Sequence, residues 1–138
     1  MTDLKHTPSY GAIVIEPSDD GPVVLMCGGE HHMSFPKGHR EAGEAPEETA
    51  YREVLEETGI KVEIDSSFSR TVDSFLPGDK RTVTFFLGKS LEGLKAPVPQ
   101  ESELSLASWV PVKKASSLIS YSPDIQVFKE ALAHLGIA

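Results

Sequence analysis

The strongest constraint on this chain is a short, heavily punctuated acidic stretch, Pro46-Glu-Glu-Thr-Ala-Tyr-Arg-Glu-Val-Leu-Glu-Glu-Thr58, closed by Gly59. Proline is preorganised for the first helical position, and Glu47 and Glu48 suit the positive end of a helix. Glycine fits the left-handed residue that stops one. The segment therefore predicts a helix running roughly from Pro46 to Thr58. At about 100° per residue, Ala50, Tyr51, Val54 and Leu55 share one face, and Arg52, Glu53, Glu56 and Glu57 share the opposite one. Gathered carboxylates repel unless cations stand among them, and hard divalent cations prefer oxygen ligands. The same face also reads as solvated surface held by pairs such as Arg52–Glu56. The loop before the helix favours the first reading, because Gly38 and Gly43 flank a further carboxylate, Glu44.

A chain of 138 residues suits one domain, 1–138, with a real core. Its net charge of −8 opposes binding to long nucleic acid or to an anionic membrane. A small phosphorylated substrate is still compatible, since a bound metal inverts the local field. The single cysteine, Cys27, lies in an apolar run, which points to a buried strand position and a reducing, cytoplasmic setting. No apolar stretch is long enough to span a bilayer, and the N-terminus lacks the apolar core of a signal peptide. Oligomeric state is not readable from the chain.

Strand signals outnumber helix signals. Tyr10 to Glu16 reads as a buried strand, Pro17 to Gly21 as a hairpin turn, and Val23 to Cys27 as the return strand. His31 to Lys37 is a short extended piece leading to the glycine loop. Val62 to Val72 alternates imperfectly and predicts one or two strands; Leu76 to Lys80 is a turn. Arg81 to Leu87, rich in β-branched and aromatic residues, is a strong strand. Leu91 to Gln100 reads as a loop, Leu106 to Val112 as a short strand around Trp109, and Lys113 to Ile119 as a short helix. Ser122-Pro-Asp124 is a helix start with Ser122 as N-cap, followed by an apolar stripe of Ile125, Phe128, Leu132 and Leu135.

The acidic helix and its loop together resemble the Nudix box, G-x5-E-x7-R-E-U-x-E-E-x-G-U, where U is a bulky aliphatic. Gly38, Glu44, Arg52, Glu53, Val54, Glu56, Glu57, Gly59 and Ile60 fill every specified position. The resemblance implies an α/β fold, the Nudix-type α/β/α sandwich with a mixed sheet. It implies metal-dependent hydrolysis of a nucleoside diphosphate linkage, with Mg²⁺ or Mn²⁺ as cofactor. Carried over by motif position, Glu53, Glu56 and Glu57 are metal ligands and Arg52 pairs with a carboxylate of the box. Glu44 reads equally as a brace between loop and helix. Gly38 and Gly59 are structural. A further glutamate outside the box is implied as ligand or base; Glu103, six residues before Trp109, fits that spacing, with Glu101 as competitor.

The stretch Gly29-Glu-His31-His32-Met-Ser-Phe-Pro36-Lys37-Gly38-His39 resembles the G-x-H-H-W-x-x-P-K-G-H run of animal-type diadenosine tetraphosphate hydrolases. It departs at Met33, where that group has tryptophan, and at Phe35, where a proline would stand. Arg81-Thr-Val-Thr-Phe85-Phe86-Leu resembles the same group's K-T-V-x-Y-W-L strand. The likeness implies a small nucleotide partner, a dinucleoside polyphosphate, contacted by His32, Lys37, Lys80 and Arg81. Phe85 or Tyr121 would stack the adenine, and Phe85 reads equally as plain core. A nucleoside triphosphate pyrophosphohydrolase of the sanitising kind is the enzymatic alternative; a non-catalytic nucleotide-binding module is the other.

Overall fold

A computed structural model describes residues 5–29, 33–98 and 106–137. The chain runs β1 (Lys5–Glu16), β2 (Val23–Gly28), β3 (Met33–Ser34), β4 (Lys37–His39), α1 (Pro46–Thr58), β5 (Val62–Leu76), β6 (Asp79–Ser90), β7 (Leu106–Pro111), α2 (Val112–Leu118) and α3 (Ser122–His134). Among the described residues the strands form one mixed sheet with the path β3-β2-β1-β6-β5; β4 pairs with β1, and β7 with β2. β1 and β6 run parallel, from Lys5↔Asp79 to Val14↔Gly88. The remaining pairings are antiparallel.

β1 is the strand on which both layers are built. Side chains alternate along a strand, so Ala12 and Val14 pack with Leu25, Val54, Ile60 and Val62 on the α1 side. Ile13 points the other way, into a larger cluster with Phe35, Phe85, Phe128 and Ala131 that includes residues of α2 and α3. A strand covered on both faces reads as a continuous apolar run, as Ala12 to Ile15 does. The expected α/β/α sandwich is the observed fold.

Several local expectations change. β1 starts at Lys5 rather than Tyr10 because the β5–β6 hairpin is longer than its apolar core and offers partners out to Asp79. β5 is continuous, and its imperfect alternation has a cause: the register with β6 shifts between Asp65 and Ser69, with Phe68 buried there. On α1 the buried residues are Thr49, Ala50, Val54 and Thr58, while Tyr51 is exposed. On α3 the N-cap is Tyr121 rather than Ser122, and the buried residues are Asp124, Val127, Phe128 and Ala131. The buried face is centred about one residue earlier than the expected stripe, which leaves Leu135 exposed.

Phe85 is fully buried and meets Phe35 edge-on at 5.7 Å between centroids. Its ring therefore has no face to offer a ligand, and the core reading of this residue replaces the stacking one. Phe85→Ala should destabilise the fold by about 3–5 kcal/mol, the range for emptying a buried phenylalanine site. Urea denaturation measures this directly; a variant as stable as the parent would mean that the ring is not part of a close-packed core.

Candidate active site

The helix geometry divides the acidic residues. Glu57 follows Ala50 by seven residues, so at 100° per residue it lies only about 20° from that buried position. It is turned inward rather than shared with the solvent face. The backbone N–H of Lys37 donates to Glu57 Oε2 at 2.8 Å, and the Cys27 thiol donates to Oε1 at 3.6 Å. Burial pushes the Glu57 carboxyl up to about 7; the Lys37 N–H opposes that rise, and the Glu53 charge adds to it. Burial, with the neighbouring Glu57 carboxylate, also pushes the Cys27 thiol well above its usual value. The thiol therefore stays protonated and can donate.

On the outer side, one guanidinium organises the remaining carboxylates. Arg52 Nε donates to Glu44 Oε2 at 2.6 Å and Nη2 donates to Glu44 Oε1 at 3.0 Å. Nη1 reaches Glu53 Oε1 at 2.7 Å and Glu56 Oε2 at 3.3 Å, and Nη2 also donates to the His39 carbonyl at 2.9 Å. Glu44 Oε1 additionally accepts from the Glu41 N–H and the Thr49 hydroxyl, each at 2.9 Å. The Arg52 hydrogen bond, then the Glu41 N–H, hold the Glu44 carboxyl down at about 2. Both Glu44 oxygens are thus engaged between loop and helix.

The loop reaches this position through β4, whose Lys37, Gly38 and His39 pair with Gly11, Tyr10 and Ser9 of β1. Gly38 leaves room for a carboxylate: a Cβ there would stand 1.9 Å from Glu53 Oε2 and would displace that side chain from its place beside Arg52. Gly59 takes the left-handed conformation at φ 71° and donates its N–H to the Leu55 carbonyl at 2.8 Å, which ends α1.

Two cavities adjoin the loop. The first, about 500 Å³, lies over the carboxylates and is lined by residues that include Gly38, Arg52, Glu53 and Glu56. The second, about 300 Å³, is lined by Arg81, Tyr121, Asp124 and a set of apolar side chains. Ser9, Lys37 and His39 line both. Arg81 faces the second cavity with its Nε 2.9 Å from Asp79 Oδ2. Lys80, its neighbour on β6, lines neither cavity, as expected when adjacent strand residues point to opposite faces. Tyr121 is exposed and donates its hydroxyl to the Asp73 carbonyl at 3.3 Å. His32 and Glu103, with His31 and Glu101, lie outside the described residues.

Sequence reasoning missed Ser9, His39 and Asp124 as cavity residues, and missed the contact of the Cys27 thiol with Glu57. A helical wheel centred on Ala50 was the available signal for the inward turn of Glu57. Among the described residues, no three His, Cys, Asp or Glu side chains stand together as a ready-made metal cage. Magnesium does not demand one: it keeps several waters and takes one or two carboxylates plus substrate phosphates. Glu53 and Glu56, both lining the larger cavity, supply a donor set of that kind.

The raised Glu57 carboxyl sets a pH dependence for the metal-free protein. The folded state holds this proton more tightly than the unfolded one, so the associated stability is complete below the usual value of 4.5. It is lost as pH rises through about 7. In EDTA, the Tm of the parent should fall relative to that of Glu57→Gln across this window. Parallel Tm profiles for the two proteins would show that Glu57 titrates normally.

The family model described as NUDIX domain matches residues 5–132. The chain is 33% identical over 130 residues to a Mycobacterium tuberculosis protein named as a mutator protein, MutT4, across 86% of this chain and 52% of that protein. It is 30% identical over 96 residues to the Mus musculus asymmetrical bis(5′-nucleosyl)-tetraphosphatase, across 67% of this chain and 65% of that one. It therefore spans between half and two thirds of the length of these relatives. A Caenorhabditis elegans Ap4A hydrolase, solved as a binary complex, shares the fold with a TM-score of 0.82 at 21% identity, over 94% of this chain and 98% of that one. With the box complete from Gly38 to Ile60 and the family match running through nearly the whole sandwich, the chain belongs to the NUDIX family.

Proposed function

We propose that this protein hydrolyses a phosphoric anhydride in a small nucleotide, and that its substrate is diadenosine tetraphosphate, cleaved asymmetrically to ATP and AMP. The observation that carries the reading is the wall of Ser9, Lys37 and His39 common to both cavities. It joins a carboxylate-lined chamber, suited to metal and phosphate, to one beside Tyr121 in which apolar side chains are mixed with Lys37, His39 and Arg81. A polyphosphate can lie along Lys37 with one adenosine in the smaller cavity and the other toward solvent. Similarity to the mouse tetraphosphatase supports this choice. Similarity to MutT4 favours a second reading, removal of pyrophosphate from a nucleoside triphosphate.

In the proposed reaction, Glu53 and Glu56 hold Mg²⁺ or Mn²⁺. Such an ion, when bound, neutralises phosphate oxygens and acidifies water. Arg52 fixes these carboxylates in place, and the Lys37 ammonium offsets phosphate charge. Glu57, anchored by the Lys37 N–H and with a proton affinity near neutrality, suits the role of proton acceptor for the attacking water. The water oxygen bonds to the phosphorus that leaves in AMP, the bridging P–O bond breaks, and ATP carries away the bridging oxygen. Glu103 remains the candidate for a further carboxylate, and His32 for a further phosphate contact.

EDTA should abolish turnover and added Mg²⁺ or Mn²⁺ should restore it; full activity in chelator would remove the metal from the scheme. Glu53→Gln and Glu56→Gln should each lower kcat by about 10²-fold or more, whereas Glu47→Gln, outside the Arg52 network, should change it little. Equal, small effects at all three would return the acidic face to plain surface.

The substrate is tested by resolving products after incubation with diadenosine tetraphosphate in ¹⁸O-water. ATP plus labelled AMP is the expected result. Two molecules of ADP would exclude asymmetric cleavage. A much higher kcat/KM for a nucleoside triphosphate or ADP-ribose would transfer the protein to another specificity within the family.

A further inference from the structure

Glu57 is tied to the sheet through both carboxyl oxygens. The Lys37 N–H on β4 supplies one donor at 2.8 Å, and the Cys27 thiol on β2 supplies the other at 3.6 Å, an ordinary reach for sulfur. Both donors are held by the ladder. Cys27 is 6% exposed and stands between Ser34 of β3 and Ala107 of β7. Lys37 is paired with Gly11 of β1. The thiol contact belongs to the packing of β2 beneath α1, where Leu25 and Val54 share an apolar cluster. Cys27 lies two residues beyond Leu25 and so presents the same face. Glu57 lies nearly one turn beyond Val54 on the helix.

The second donor has a specific effect, because the last torsion of a glutamate is broad. With Oε2 alone anchored, Oε1 could still swing and the carboxyl plane would not be fixed. A donor on each oxygen fixes it. Each carboxylate oxygen has two acceptor positions, so both inward bonds leave one position on each oxygen for the outer, half-buried side. The residue type at 27 also follows. A hydroxyl has a shorter reach and is unfavourable to bury without a close partner. Alanine or valine would fill the space and donate nothing. A thiol packs as a small apolar group and still donates, and burial keeps it neutral.

Resting on the reading of Glu57 as proton acceptor for the attacking water, we propose that Cys27 is a positioning residue for the reaction: its S–H bond to Oε1 fixes the plane of the Glu57 carboxyl and aims its outer acceptor position at that water. The thiol is neither deprotonated nor oxidised in turnover.

Two measurements test this. The chain has one cysteine, so its infrared spectrum holds one S–H stretching band. In alkaline buffer, where Glu57 is ionised, the band of the parent should lie at the low wavenumber of a thiol bonded to a charged acceptor. In Glu57→Gln it should rise, because the amide has one oxygen and the Lys37 N–H is the stronger donor to it. An unchanged band overturns the inference. The second measurement is steady-state hydrolysis of diadenosine tetraphosphate at saturating metal. Cys27→Ala should lower kcat about threefold to tenfold, the effect of one lost hydrogen bond, with KM unchanged. In the Glu57→Gln background the same substitution should change kcat no further. A role in packing alone would slow both backgrounds alike; that result overturns the inference and leaves the hydrolase reading standing. If Cys27→Ala does not fold, the band comparison, which needs no cysteine variant, decides. Absence of metal-dependent hydrolysis in the parent, for every nucleotide offered, removes the reading of Glu57 as a base, and this inference with it.

Discussion

One guanidinium holds this site together. In a chain of net charge −8, Glu41, Glu44, Glu53 and Glu56 all come within 4 Å of Arg52. Its planar fork matches both oxygens of Glu44 and still directs a nitrogen at Glu53 and another at the His39 carbonyl. A lysine, a single point charge on a flexible stem, could not make these contacts together. The loop is thereby tied to the helix, and the carboxylates face the cavity without mutual repulsion driving them apart.

The reach of Arg52 also separates the acidic residues by environment. Glu44, bound through both oxygens, is held down at about 2 and cannot serve as a proton acceptor near neutrality. Glu57 lies beyond the guanidinium, against Cys27 and the Lys37 backbone, and burial lifts it to about 7. Two glutamates of one motif are thus driven in opposite directions by their surroundings. That kind of divergence divides structural and acid–base duties between like residues.

The sequence showed most clearly what is local. Proline at one end and glycine at the other marked α1 from Pro46 to Thr58, and Gly59 takes the left-handed turn that its identity suggested. Apolar runs found the strands, because burial and β-branching coincide there. What was not legible depends on which way a side chain turns once layers pack. Phe85 and Tyr121 were both candidate stacking rings, with plain core as the other reading of Phe85; Tyr121 lines a cavity, while Phe85 is sealed beneath Phe35. Arg81 held the motif position and Lys80 was its neighbour in charge; strand alternation sends only Arg81 into the cavity. Asp124 was read as part of a helix start; its burial follows from a rotation of α3 by about one residue, which no pattern of apolar residues announced.

The two departures from the diadenosine tetraphosphate hydrolase pattern have different consequences. Phe35, where that pattern has proline, is fully buried and packs against Phe85 and Phe128 at 5.7 and 5.4 Å. It changes the core beneath the site, not the surface a ligand meets. Met33, where the pattern has tryptophan, lines the smaller cavity itself. A thioether there is softer and more adaptable than an indole, and it removes a second flat surface against which a base could stack. Among the described residues lining this cavity, Tyr121 is then the remaining large aromatic ring.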